Sequence, residues 1–189
     1  MSSDADAAFP LGACPVPIAD TEQVLMGHGS GGKLTAQLIE TVLLPAFRNP
    51  ALEPLDDQAV VPLGGARLAL TTDSYVVTPI FFPGGDIGEL AVNGTVNDLA
   101  VGGARPLYLT LSLILEEGFA LDDLKRVIES VRRAAGAAGV QIVAGDTKVV
   151  NRGKGDKVFI NTAGVGLPLP GVQLTSSRVA PGDQILVSG

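Results

Sequence analysis

Leu107-Tyr108-Leu109-Thr110-Leu111-Ser112-Leu113-Ile114-Leu115 carries leucine at every second position, which puts Leu107, Leu109, Leu111, Leu113 and Leu115 on one face of a strand. A helix follows over Leu121 to Ala138, with Leu121, Leu124, Val127, Ile128, Val131 and Ala135 as its apolar stripe. Asp122-Asp123 suit its first turn, Arg132-Arg133 its later turns and Gly139 its stop. Val140 to Val150 is the next strand, with Gly145-Asp146-Thr147 inside it. Lys157 to Val165 is another, expected to join the last as a hairpin through 151–156. Upstream, Arg67 to Thr72 reads as a strand delivering Asp73 at its end, and Ile87 to Val101 as a helix stopped by Gly102-Gly103. Leu34, Leu38, Ile39, Val42 and Leu43 recur at helical spacing, with Pro45 marking the end of that helix.

Around these elements lie a glycine-rich loop and four aspartate-bearing segments. The loop is Gly27-His28-Gly29-Ser30-Gly31-Gly32-Lys33, directly before a helix; the segments are Asp56-Asp57, Thr72-Asp73-Ser74, Asn97-Asp98 and Gly145-Asp146-Thr147. Glycines let backbone N–H groups approach phosphate oxygens, and a helix N-terminus adds a favourable field. Carboxylates repel phosphate but can hold the magnesium that accompanies it. Together they point to a nucleotide–metal site. An ordinary P-loop does not fit, because Leu34 follows Lys33 where a magnesium-ligating Ser or Thr is required. The plainer reading of the glycines alone is a flexible linker.

Composition narrows the remaining classes. The chain has 189 residues, 20 acidic against 13 basic, and a net charge of −7. With no basic run to track a phosphate backbone, nucleic acid is excluded as a partner. Hydrophobic residues make up 46% and aromatic ones only 4%, so the core is expected to be aliphatic. The longest uncharged stretch, Val158 to Ser177, is broken by Gly164, Gly166, Pro168, Pro170 and Gly171 and is no membrane span. The lone Cys14 allows no internal disulfide, and the acidic residues before it argue against lipidation. A cytoplasmic location is the expectation.

Each candidate residue has a plainer alternative. Asp57 and Asp73 suit turns at strand ends as well as a metal. Asp98 sits within a helix, where aspartate is mildly disfavoured, and Asp146 interrupts an apolar strand, where a carboxylate calls for a cation or strong donors. Lys33 and Lys148 are either solvated charges or clamps on a polyphosphate. His28 reads as a hydrogen-bonding loop residue, and Glu116-Glu117 as the cap of a strand-to-helix turn.

The motifs Gly27–Gly32, Asp57-Gln58-Ala59, Thr72-Asp73-Ser74-Tyr75-Val76, Phe81-Phe82-Pro83-Gly84-Gly85, Asn97-Asp98-Leu99-Ala100 and Gly145-Asp146-Thr147-Lys148-Val149-Val150, in this order, resemble the HypE family of hydrogenase maturation factors. The resemblance runs from about Val24 to Gly189 and extends to the wider PurM-like superfamily of aminoimidazole-ribonucleotide synthetase, selenophosphate synthetase and thiamine-monophosphate kinase. It implies an α+β fold, a PurM-like N-terminal ATP-binding domain with a mixed sheet and helices on one face. It implies ATP and Mg²⁺ as cofactors, with Asp57, Asp73, Asp98 and Asp146 on the metal, Gly31, Gly32, Lys33, Asn97 and Thr147 on the nucleotide, and Lys148 at the transferring group. The implied reaction is ATP-dependent dehydration of a cysteine-bound S-carboxamide to an S-cyanide for nickel–iron hydrogenases. The implied partners are a second copy joined sheet to sheet, the carbamoyltransferase HypF and a HypC–HypD scaffold.

A related small-molecule kinase or synthetase, or a non-catalytic ATP-binding dimerisation module, stays open beside that reading. The expected organisation is an extended lead-in over 1–20, the ATP-binding domain over 21–170, and over 171–189 a linker with the first strand of a truncated C-terminal domain. That strand is Gln184-Ile185-Leu186-Val187, whose bland alternative is an edge strand completing the sheet. The family carries its substrate on a C-terminal cysteine beyond such a strand, so the chain alone is expected not to complete the reaction.

Overall fold

The structure is a computed structural model that describes residues 23–187, so the 1–20 lead-in, Cys14 and Ser188-Gly189 lie outside the described residues. Two compact units divide between Arg48 and Asn49.

In the first unit a 3₁₀ turn, Met26–Gly29, precedes helix α1 (Lys33–Leu38). This helix does not end at Pro45. It widens into a π-helical stretch, Ile39–Leu43, and resumes as α2 (Leu44–Phe47). A proline in a helix lacks an N–H and crowds the carbonyl four residues back. Here the N–H of Leu44 reaches Ile39 O, five residues back, and Pro45 falls in the opening turn of α2, where no N–H is needed.

The second unit opens with strands β1 (Ala59–Leu63) and β2 (Ala66–Tyr75), an antiparallel pair joined by Gly64-Gly65. Both glycines have positive φ, +53° and +90°, as a two-residue hairpin turn demands. A small hairpin of β3 (Phe81–Phe82) and β4 (Gly85–Asp86) leads into α3 (Ile87–Val101). Asp86 caps that helix, accepting from Gly88 N at 2.8 Å and Glu89 N at 3.1 Å. Then come β5 (Ala104–Glu116), α4 (Leu121–Ala138), β6 (Gln141–Val150) and β7 (Val158–Pro168). Gly139 ends α4 in the left-handed conformation at φ +69°.

The five-stranded sheet has the order β1-β2-β7-β5-β6, with β5 and β6 parallel and the other neighbours antiparallel. The mixed α+β sheet expected above is therefore observed. The expected β6–β7 hairpin is not. The helical crossover through α4 seats β6 parallel to β5 on one side, and β7 takes the other side. The connection over 151–156 thus bridges two inter-strand spacings, roughly 10 Å. Among the described residues Gln184 to Val187 lies in no strand, and Ile185, Leu186 and Val187 are exposed.

Both α3 and α4 cover one face of the sheet. One core cluster joins Tyr75, Leu113, Val158 and Ile160 of the sheet to Ile87, Ala91 and Val127 of the helices. A second joins Leu109 to Val92, Val131, Ala134 and Ala135. The apolar stripe of α4 is displaced from the sequence reading: Leu121 is 71% exposed, while Ser130 and Ala134 are buried. The side of α4 around Val127 lies very close to α3: a Cβ on Gly88 would stand 2.5 Å from the carbonyl oxygen of Val127, an approach that only glycine permits.

Candidate functional site

Alternation along β2 places Thr71, Asp73 and Tyr75 on the helix-covered face, where Ala69 and Tyr75 are buried. Above them α3 presents Thr95 and Asp98, three residues apart and so on one side of the helix. Asp57 lies just before β1. Two contacts of Thr71 connect these pieces: its Oγ1 lies 2.8 Å from the main-chain oxygen of Asp57 and 3.1 Å from Asp98 Oδ2. Asp57, Asp73 and Asp98 are thereby brought together.

The charges that act on Asp98 are all negative. Burial, first, and then the negative charges of Asp73 and Asp57 raise the Asp98 carboxyl above its ordinary value, while the Thr71 hydrogen bond acts against them. Beneath the cluster runs a buried polar chain. Tyr75 Oη and Thr95 Oγ1 are 3.1 Å apart, and Thr95 is hydrogen-bonded in turn to Thr162; both threonines are fully buried. Burial above all pushes Tyr75 up to about 12, opposed by its bond to Thr95 and reinforced by the charge of Asp73. Gly94 makes room for this chain, since a Cβ there would lie 2.3 Å from Tyr75 Oη. On the sheet's other face, Asn161 Nδ2 donates to the main-chain oxygen of Asp73 at 2.9 Å and to Ser74 Oγ at 3.0 Å, bracing the strand behind Asp73.

Among the described residues no three His, Cys, Asp or Glu side chains close into a metal cage. The donor set nevertheless suits magnesium. That ion takes hard oxygen ligands and is usually held by one or two carboxylates together with phosphate oxygens and water, so a complete protein cage is not required. Asp57 also lines an open cavity of about 420 Å³ with Asp56, Val101, Gly102, Leu174 and Arg178, a size within the range of small-molecule sites.

The remaining candidates lie elsewhere. Asn97 is exposed on α3, about 100° around the helix from Asp98. Asp146 pairs with Ser112 in a row that continues through Asn161 to Ser74, which puts it on the face opposite Asp73. Lys148, two residues on, shares that face, and Thr147 lies on the helix side at the sheet edge. Asp146 does not sit in the apolar interior expected from its strand, because β6 is an edge strand exposed along nearly its whole length. Its carboxylate needs no cation to offset burial. Glu116 does not cap a helix turn: its carboxylate accepts from the N–H groups of Gly153 and Lys157, tying down the β6–β7 connection.

Within the first unit, Gly31 turns the chain at φ +75° and its N–H donates to Thr35 Oγ1 at 3.0 Å. Gly32 is the N-cap of α1 and Lys33 its first residue. His28 Nδ1 accepts from Leu25 N–H at 2.9 Å, a loop-bracing role.

Sequence reasoning passed over Thr71, Thr95 and Thr162. The signal was present in the two-residue spacing of Thr71, Asp73 and Tyr75 on a strand and the three-residue spacing of Thr95 and Asp98 on a helix.

Residues 55–167 match the family described as AIR synthase related protein, N-terminal domain. Carbamoyl dehydratase HypE of Azotobacter vinelandii is 55% identical over 166 residues, covering 88% of this chain and 49% of that protein. A crystal structure of a HypE–HypF complex is similar at a TM-score of 0.71 and 51% identity, over 77% of this chain and 47% of that one. A crystal structure of the hydrogenase maturation protein HypE in complex with ATP is similar at 0.54 and 56%, over 78% and 44%. The chain spans about half the length of the curated relatives it matches. With its mixed sheet, its two covering helices and these likenesses, the chain belongs to the AIR synthase related family, and its likeness within that family is to the HypE hydrogenase maturation proteins.

Proposed function

We propose that this chain holds magnesium–ATP for a carbamoyl dehydratase that serves nickel–iron hydrogenase maturation. The observation that carries the reading is the meeting of Asp57, Asp73 and Asp98 around Thr71, with negative charges acting on Asp98 and no cation among the influences on it. Such a cluster is poised for a hard divalent ion. The likeness to a HypE solved with ATP supports the choice of nucleotide.

In the proposed reaction, a cysteine-bound S-carboxamide and ATP give the S-cyanide, ADP and phosphate. The amide oxygen takes the γ-phosphoryl group and then departs as phosphate while the amide nitrogen gives up its protons. Magnesium would supply charge neutralisation at the phosphates. The protein's share is positioning: Asp57, Asp73 and Asp98 orient the cation, and the rigid β2–α3 face fixes their spacing.

Gly31, Gly32 and Lys33 are proposed as phosphate contacts in their own right, Gly31 by making the turn and Gly32 and Lys33 by opening helix α1. Asn97 and Thr147 are proposed nucleotide contacts. The separation of Asp146 and Lys148 from the acidic cluster, on the opposite face of the sheet, supports a role for them across a homodimer formed through that sheet, where a second copy would meet them. HypF as carbamoyl donor, supported by the likeness to a HypE–HypF complex, and a HypC–HypD acceptor complete the proposal. A cytoplasmic setting is proposed with them; no helix among the described residues is long and apolar enough to cross a membrane.

Calorimetric titration with ATP, with and without magnesium, tests the reading. Magnesium is expected to tighten binding in the wild type and to lose that effect in Asp73→Asn and Asp98→Asn. Equal magnesium dependence in all three would overturn the assignment.

A further inference from the structure

We propose that Thr71 is the positioning residue of the acidic cluster, its hydroxyl holding the segment that bears Asp57 and the helix that bears Asp98 against the strand that bears Asp73. The proposal rests on the magnesium–ATP reading above. Asp57 lies 14 residues before Thr71 and Asp98 lies 27 after it, so the three carboxylates come from separate elements that need a physical link.

Thr71 Oγ1 supplies one. It has a single proton and two acceptors within 3.1 Å, the Asp57 carbonyl and the Asp98 carboxylate. Rotation about the Cβ–Oγ1 bond chooses between them. When the proton turns fully to Asp57, the bond to Asp98 is released and a cation drawing on the Asp98 oxygens would hold that carboxylate in its place. The other branch of the side chain fixes the rotamer. Gly164 on β7 leaves a gap that the Thr71 methyl shares with Leu99 and Thr95, since a Cβ there would stand 2.9 Å from Leu99 Cδ1, 3.0 Å from Thr95 Cγ2 and 3.2 Å from Thr71 Cγ2. One branch therefore packs and the other positions.

That division gives a test in which shape and hydrogen bonding are separated. Thr71→Val keeps the shape and the methyl but loses the hydroxyl; Thr71→Ser keeps the hydroxyl but loses the methyl. ATP affinity is measured calorimetrically over a series of magnesium concentrations, alongside thermal midpoints. Thr71→Val is expected to raise the magnesium concentration for half-maximal effect about tenfold, and Thr71→Ser to stay within about twofold of wild type. A Thr71→Val protein with the wild-type magnesium midpoint, or a Thr71→Ser protein as impaired as Thr71→Val, overturns the proposal. If Thr71→Val does not fold, Thr71→Ala and Thr71→Ser decide: a loss confined to Ala supports the proposal, and an equal loss in both refutes it. Wild-type ATP affinity indifferent to magnesium marks the separate failure of the underlying reading and removes the proposal with it.

Discussion

Replacing Gly88 and Gly136 by alanine, the same change in two helices that pack together, should move stability in opposite directions. A Cβ on Gly88 meets Val127 O at 2.5 Å, Asp86 Oδ1 at 3.1 Å and Val131 Cγ2 at 3.1 Å. A carbon–oxygen contact relaxes near 3.4 Å, so α3 and α4 must part by about 0.9 Å, or the capping carboxylate must shift. Overpacking of this kind costs about 1–3 kcal/mol, and alanine recovers up to about 1 kcal/mol of helix propensity. The net expectation is a loss of about 1–2 kcal/mol, which at this chain length lowers the thermal midpoint by roughly 3–6 °C. Gly136 is exposed, and a Cβ there meets nothing within 4 Å. Gly136→Ala should gain about 0.5–1 kcal/mol. Thermal unfolding followed by circular dichroism measures both. A Gly88→Ala protein as stable as wild type would refute the claim that α3 and α4 lie too close for a side chain at this position.

Asp86→Ala removes the cap of α3 and should cost about 1 kcal/mol, with faster hydrogen exchange at Gly88 and Glu89, whose N–H groups it binds. Asp98→Asn should stabilise the metal-free protein at neutral pH. The folded carboxyl is raised above its ordinary 3.8, so its ionisation in the folded state opposes folding; the cost is absent below 3.8, grows as pH rises and is complete above the raised value. Thermal midpoints of wild type and Asp98→Asn should therefore converge in acid and separate towards neutrality, and a constant difference across that range would count against the shift. The Thr71 variants described above complete the set.

The strand at Leu107 to Leu115 and both long helices were legible because their apolar periods are long and bounded by turn residues. The helix over Ile87–Val101 and that over Leu121–Ala138 lie where spacing and glycine stops placed them. What failed was non-local. Which side of β5 a strand occupies depends on the crossover, and nothing within residues 141–168 records it. The same ignorance of strand order made β6 look interior and gave Asp146 a burial it does not have. The first hairpin was missed although Gly64-Gly65 between Val60-Val61 and Leu68 is an ordinary turn signal. At the site, carboxylates drew attention by their charge, whereas Thr71 is neutral and its importance comes from two partners distant in sequence. A hydroxyl that links remote elements shows only once the chain is folded.

The central claim is that Asp57, Asp73 and Asp98 hold the cation that comes with ATP. Manganese in place of magnesium makes this visible directly, by anomalous scattering from crystals of the chain grown with manganese and ATP. The account predicts an anomalous peak within coordination distance, about 2.0–2.3 Å, of carboxylate oxygens from this trio, with ATP phosphate oxygens completing the shell. A peak seated away from all three, or ATP bound with no cation beside Asp73 and Asp98, would contradict it.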